Sequence, residues 1–216
     1  MVGESPPGPP AEVPVILVPE IRDFVRINAE IVGLLNLGHD RIRLEGAEGQ
    51  RLLAAGLVGP WRAVIEVEGR TGPELAANLD APGLRIVARG PTVDGAGRGL
   101  QAGTVLILGD VGDGLGSAQT GGTLVVVGSA GHRAGLGQSG GTLAVLGATG
   151  RLAGDRQSGG ICFLGAAGSG PFPGRGQRGG RRVAWLDPLG AADQLAWNAL
   201  VEAVSPWVEP AILVRG

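Results

Sequence analysis

The chain holds one cysteine, no tyrosine and three phenylalanines among 216 residues. A single cysteine excludes an internal disulfide framework and any cysteine-rich metal cluster within the chain, and it points to the reducing cytoplasm. Charge excess of either sign is also missing: 18 basic against 20 acidic residues leave a formal net charge of −2. Nothing in that balance favours nucleic acid, whose binding rests on neutralising phosphates. No apolar run approaches the length of a membrane span. The opening MVGESPPGPPAEVP has neither the basic n-region nor the apolar h-region of a secretory signal. The expectation is a cytoplasmic protein without a membrane or nucleic-acid partner.

What the chain has in excess is glycine, 42 residues of it. Four segments repeat down its middle: TVLILGDVGDGLGSAQTGG, TLVVVGSAGHRAGLGQSGG, TLAVLGATGRLAGDRQSGG and ICFLGAAGSGPFPGRGQRGG. The segments close at Gly122, Gly141, Gly160 and Gly180; with Gly103 just before the first, the glycines stand nineteen residues apart until the last step, which is twenty. A fixed period of this length marks a solenoid, in which each repeat buries its apolar face only by stacking on a neighbour. Inside the repeat, Gly109, Gly128, Gly147 and Gly165 follow the apolar run. Gly112, Gly131, Gly150 and Gly168 come three residues later, then Gly116, Gly135 and Gly154. Gly174 is late by two, so the fourth repeat carries an insertion around Pro171–Pro173. Turns with positive φ, and coils stacked about 4.8 Å apart, both favour a residue without Cβ.

Strands are expected over 42–46, 64–69, 84–90, 105–109, 124–128, 143–147 and 161–165. Helical spacing over 20–35 predicts a helix covering the open end of the solenoid, where a bare rung would be an unpaired edge. A second helix is expected over 191–204, with Asp193 as its N-cap; it either caps the last rung or reaches a partner. The organisation is then a flexible Pro-rich segment over 1–19, a solenoid over 20–188, and a helix and tail over 189–216.

Few residues carry chemistry. GLGQSG (135–140) fits the dinucleotide pattern G-x-G-x-x-G, but another strand follows it at once instead of a long helix. Cys162 sits in the strand column, aligned with Ala144, Val125 and Leu106, and reads as a buried, inert thiol. His39 and His132 are too few and too far apart for a metal site. Asp110 and Asp113 suggest calcium only until the next rungs are read, where Ser129, His132, Ala148 and Arg151 replace them. The polar column Gln119, Gln138, Gln157 and Gln177 reads as an internal ladder of stacked amides, or alternatively as a ligand-binding row.

The opening INAEIVGLLNLGHDRIRLEGAEGQRLLAAGL (27–57), followed by GDVGDGLG (109–116) and GHRAGLGQSGG (131–141), resembles the GXGXG-type β-helix family. It is most similar to the C-terminal domain of the glutamate synthase large subunit, which also exists as a separate protein. It is more distantly similar to the β-helix subunit of formylmethanofuran dehydrogenase. The family more often has an apolar residue, commonly methionine, where this chain has its glutamine column.

The resemblance implies a single right-handed parallel β-helix of about seven glycine-rich rungs with a helix near each end. It also implies a non-catalytic scaffold subunit in nitrogen metabolism, one part of an oxidoreductase complex joining a glutaminase to an FMN-dependent synthase. FMN and an iron–sulfur cluster would then belong to partner subunits, with no catalytic residue, cofactor or metal in this chain and no activity from it alone. The alternative is a scaffold like the β-helix subunit of formylmethanofuran dehydrogenase, serving that enzyme or a formyltransferase/hydrolase complex. Either role is compatible with a homo-oligomer.

Overall fold

A computed structural model describes residues 12–165, 169–184 and 187–214. The chain winds into a β-solenoid of about seven turns. Its main wall is one sheet of nine parallel strands in chain order. They are β1 (Val15–Leu17), β2 (Arg41–Glu45), β3 (Ala63–Val67), β4 (Asp80–Ala88), β5 (Ala102–Ile107), β6 (Thr123–Val126), β7 (Ser139–Val145), β8 (Gly159–Leu164) and β9 (Arg181–Ala184). A second wall is a line of single parallel bridges running Thr71, Thr92, Val111, Ala130, Thr149 and Ser169. The third wall is all turns, and there every second residue takes positive φ, as in Leu52, Ala54 and Gly56 of the first rung and Gly95, Gly97 and Gly99 of the third.

That third wall explains where glycine is needed and where it is not. Ala54 and Ala76 occupy the column that Gly97, Gly116 and Gly135 continue, all at positive φ. A Cβ on Gly97 would stand 2.7 Å from a Leu124 methyl, so this column points into the core and tolerates nothing above alanine. Gly109, Gly128 and Gly147 have ordinary φ, and their constraint is contact. A Cβ on Gly147 would lie 2.7 Å from the carbonyl of Gly128 one rung away. In the next column Gly170, not the expected Gly168, stands over Gly150, because Ser169 pairs with Thr149. The extra residue of the fourth repeat therefore falls between Gly165 and Ser169 and not around Pro171–Pro173, and Gly168 itself lies outside the described residues.

Along the strands, alternate side chains enter the core. Ile65, Ile86, Val105, Leu124, Leu143 and Cys162 stack in register as one inward column and are buried. This corrects the expected alignment of Cys162 with Ala144: Cys162 pairs with Leu143, and Phe163 takes the place beside Ala144. The expectation counted back from Gly165. The register is set instead at the start of the strand, by the corner glycines, and β8 is one residue shorter before its terminal glycine. Gly165 therefore faces the Leu146 backbone. A one-residue slip in a strand exchanges its two faces, which is why the error put the thiol on the wrong side.

The helices also depart from expectation in detail. Residues 20–35 hold two elements, α1 (Val18–Ile21) and α2 (Phe24–Asn36), separated by Arg22 at φ 54. Asp23 caps α2 by accepting from Val25 N at 2.9 Å. Val15–Leu17, expected in the flexible segment, form β1 and pair with β2; residues 1–11 lie outside the described residues. The last helix, α3 (Ala191–Val204), has the expected bounds, but its N-cap is Gly190. Asp193 is buried and pairs with Arg181.

Helix α3 covers neither end. It packs on the outer face of the sheet, where Trp197, Leu200 and Val204 meet Leu106, Val125 and Phe163. The Phe163 and Trp197 rings sit edge to face, 5.1 Å apart. The outward column explains the placement. It is charged in the first rungs, at Arg43 and Glu66, and apolar from Val87 onward. Apolar strand runs buried on both faces need a covering element.

Candidate functional site

The glutamine column lies inside the solenoid, where the third wall returns to the sheet. Gln119, Gln138 and Gln157 are fully buried and Gln177 is half-buried. Each amide first satisfies the backbone of its own corner. Gln138 Nε2 donates to the Gly140 and Gly141 carbonyls, both at 3.2 Å, and to Ile161 of the next rung at 3.3 Å. The glycine pair turns its carbonyls inward, and the amide supplies the donor they lack. Amide-to-amide bonds join part of the column: Gln157 Nε2 donates to Gln138 Oε1 at 3.1 Å and Gln177 Nε2 to Gln157 Oε1 at 3.3 Å. Arg182 Nε then donates to Gln177 Oε1 at 3.0 Å. The ladder stops at Gln138, because Gln119 Oε1 is buried without a partner. The expected continuous run of four is therefore a run of three, closed by an arginine.

The corner bearing Asp110, Asp113 and His132 is also devoted to the coil. Asp113 N donates to Asp94 Oδ1 at 2.8 Å, His132 N to Asp113 Oδ1 at 2.7 Å, and Arg151 N to His132 Nδ1 at 2.9 Å. Asp110 Oδ1 accepts from Ser129 N at 2.8 Å. Each side chain holds the backbone of the following rung. Because His132 Nδ1 accepts, its ring proton is on Nε2 in the neutral form. Among the described residues, no three His, Cys, Asp or Glu side chains gather as a metal site. The GLGQSG glycines Gly135 and Gly137 are turn residues at positive φ that lead directly into β7.

Cys162 is fully enclosed, and burial pushes its thiol up to about 12, with Arg182 pulling weakly the other way. A thiol so far above neutrality carries no thiolate for nucleophilic work.

The remaining polar chemistry is on the surface. An open groove of about 710 Å3 crosses the charged outer face of the first rungs, bordered by Asp40, Arg62, Arg85 and Thr104. A second, of about 620 Å3, follows the third wall past Glu74, Asp94, Arg133 and Arg156. Among the described residues, no hydroxyl lining either groove bonds a carboxylate, and Ser117 Oγ donates to Gly114 O at 2.8 Å.

Two residues that sequence reasoning passed over decide how the ends of the solenoid are finished. Asn28 of α2 lies across the first rung, where its Nδ2 donates to Leu52 O at 2.8 Å and its Oδ1 accepts from Ala54 N at 2.9 Å. In later rungs that N–H reaches the rung before, as Ala76 N reaches Leu53 O at 2.9 Å. Asn28 thus replaces the missing rung. Its signal was a polar residue beside the buried stripe Ile27, Ile31 and Leu35. At the other end, Arg182 stands in the inward column above Cys162, where every earlier rung has an aliphatic residue or the thiol. No family model, curated protein or solved structure matches this chain.

Proposed function

We propose that the protein is a non-catalytic scaffold subunit of a glutamate synthase-like complex, joining a glutaminase subunit to an FMN-dependent synthase subunit. The supporting observation is the order of parts. Helix α2, strand β2 and the turn at Gly49, Gln50 and Arg51 lead into glycine-cornered rungs, the same order on which the resemblance rests. The chemistry fits a scaffold. The buried amides, the corner carboxylates and His132 are occupied in bonding the coil's own backbone, and the surface is left for partners. In this reading FMN and the iron–sulfur cluster belong to the neighbouring subunits.

Purification of the tagged protein from its native cell, with identification of stoichiometric partners, tests the reading. A partner whose mature chain starts with cysteine, together with a flavoprotein, is the expected result. A metal-dependent amidohydrolase in their place would replace it with a formyl-transfer complex.

A further inference from the structure

We infer that the C-terminal end of the solenoid is a docking surface for an acidic, extended segment of a partner protein, which continues the coil as an added rung. The two ends are finished differently. At the N-terminal end, α2 lies over the first rung and Asn28 bonds its backbone. At the C-terminal end, α3 is on the flank, and among the described residues nothing takes the equivalent place.

The consequence falls on specific atoms. In each earlier rung, two residues of the third wall donate their N–H forward to the next rung. Leu152 N reaches Pro171 O at 3.2 Å and Arg156 N reaches Arg175 O at 2.8 Å. Their counterparts in the last rung are Phe172 and Gly176, which hold the same positive φ, 61 and 66. Their N–H groups have no acceptor among the described residues. Phe172 is 68% exposed. An edge with unpaired main-chain donors is a template for another chain.

Charge selects the occupant. From residue 133 to residue 182 the chain has seven arginines and one carboxylate, Asp155, whereas residues 40–100 hold eight acidic and eight basic residues. Asp155 is buried, and of the seven arginines only Arg181 has a carboxylate partner among the described residues. Arg175 and Arg178 are exposed on the last rung, and Arg182 closes its interior. A second copy of this chain does not fit. Two such ends would oppose arginine to arginine, and the other end is already covered by α2. Single-stranded nucleic acid would match the charge but offers no regular row of main-chain carbonyls at the spacing of a strand. An acidic polypeptide offers both. The inference holds whichever complex the protein serves.

The test uses the full chain and a fluorescein-labelled nine-residue peptide alternating glutamate and valine, followed by anisotropy at low salt. Expected is saturable binding that weakens by about tenfold or more in Arg175→Glu/Arg178→Glu and is unchanged by Arg43→Glu in the first rungs. Amide exchange at Phe172 and Gly176 should slow in the complex. Both arginines are exposed, so an unchanged far-ultraviolet spectrum is expected; should the double variant fail to fold, Arg175→Gln/Arg178→Gln replaces it. The inference is overturned if the peptide does not bind, or if an oligothymidylate of equal charge binds as well. It is also overturned if the charge changes leave binding intact or the two amides stay unprotected.

Discussion

Cys162 and the glutamines are single residues whose surroundings set measurable properties. The chain has no lysine and no tyrosine; its basic residues are all arginine. Between pH 9 and 12 the cysteine is therefore the one side chain that titrates, since arginine keeps its proton until above that range. Burial lifts the folded thiol from 9.0 to about 12. Below pH 9 the thiol is neutral in both states and stability is unaffected. Above it the unfolded chain loses the proton first, so stability falls until pH passes the folded value, at up to ~1.4 kcal/mol per pH unit. Urea unfolding across pH 9–12 should show that slope in the native protein and lose it in Cys162→Val. An equal slope in both proteins would refute the assignment.

For Gln138→Ala, the loss of a donor to three carbonyls and of an acceptor for Gln157 predicts a cost of about 1–3 kcal/mol, read from thermal unfolding. Changing all four glutamines to methionine should not relieve this, because the amides serve backbone carbonyls more than one another. Unchanged melting in Gln138→Ala would mean that the corner carbonyls find other donors.

Among the elements, helix α3 is held by the outer apolar column, and Trp197 is its largest buried side chain. Trp197→Ala should cost about 3–5 kcal/mol and expose the strands to a hydrophobic dye. A loss below about 1 kcal/mol, far under that range, would place the helix elsewhere. The turns offer a paired comparison. A Cβ on Gly137 meets nothing within 4 Å, but its φ is 65, so alanine costs only the left-handed penalty of about 1–2 kcal/mol. At Gly147 the same Cβ meets the neighbouring rung's backbone at 2.7 Å, and the rungs must separate. Gly147→Ala should therefore lower the melting temperature more than Gly137→Ala, and the reverse order would contradict the stacking account.

At the scale of the whole molecule, the inward polar groups satisfy the coil and the surface charge is unevenly spread. The scaffold proposal predicts that the purified protein releases no ammonia from glutamine at any pH, because its one thiol is sealed within the core. Ammonia release that disappears in Cys162→Ala would overturn both the burial and the scaffold reading.

Much of this architecture was legible in the sequence. A period of nineteen residues can close only as a coil, and glycines recurring in column mark its corners, so rungs, strands and the bounds of α3 followed from spacing. The amide column was visible for the same reason, since any residue repeated at the period must stack on itself. What spacing could not supply is the direction in which a side chain points. Direction in a strand reverses with each residue, so the short strand β8 exchanged Cys162 and Phe163 between core and flank. Nor could spacing say where a helix lies once its chain leaves the coil. Only the packed structure brought Asp193 to Arg181, laid α3 along the outer apolar column and set Asn28 in place of a missing rung, because these contacts join segments that no repeat relates.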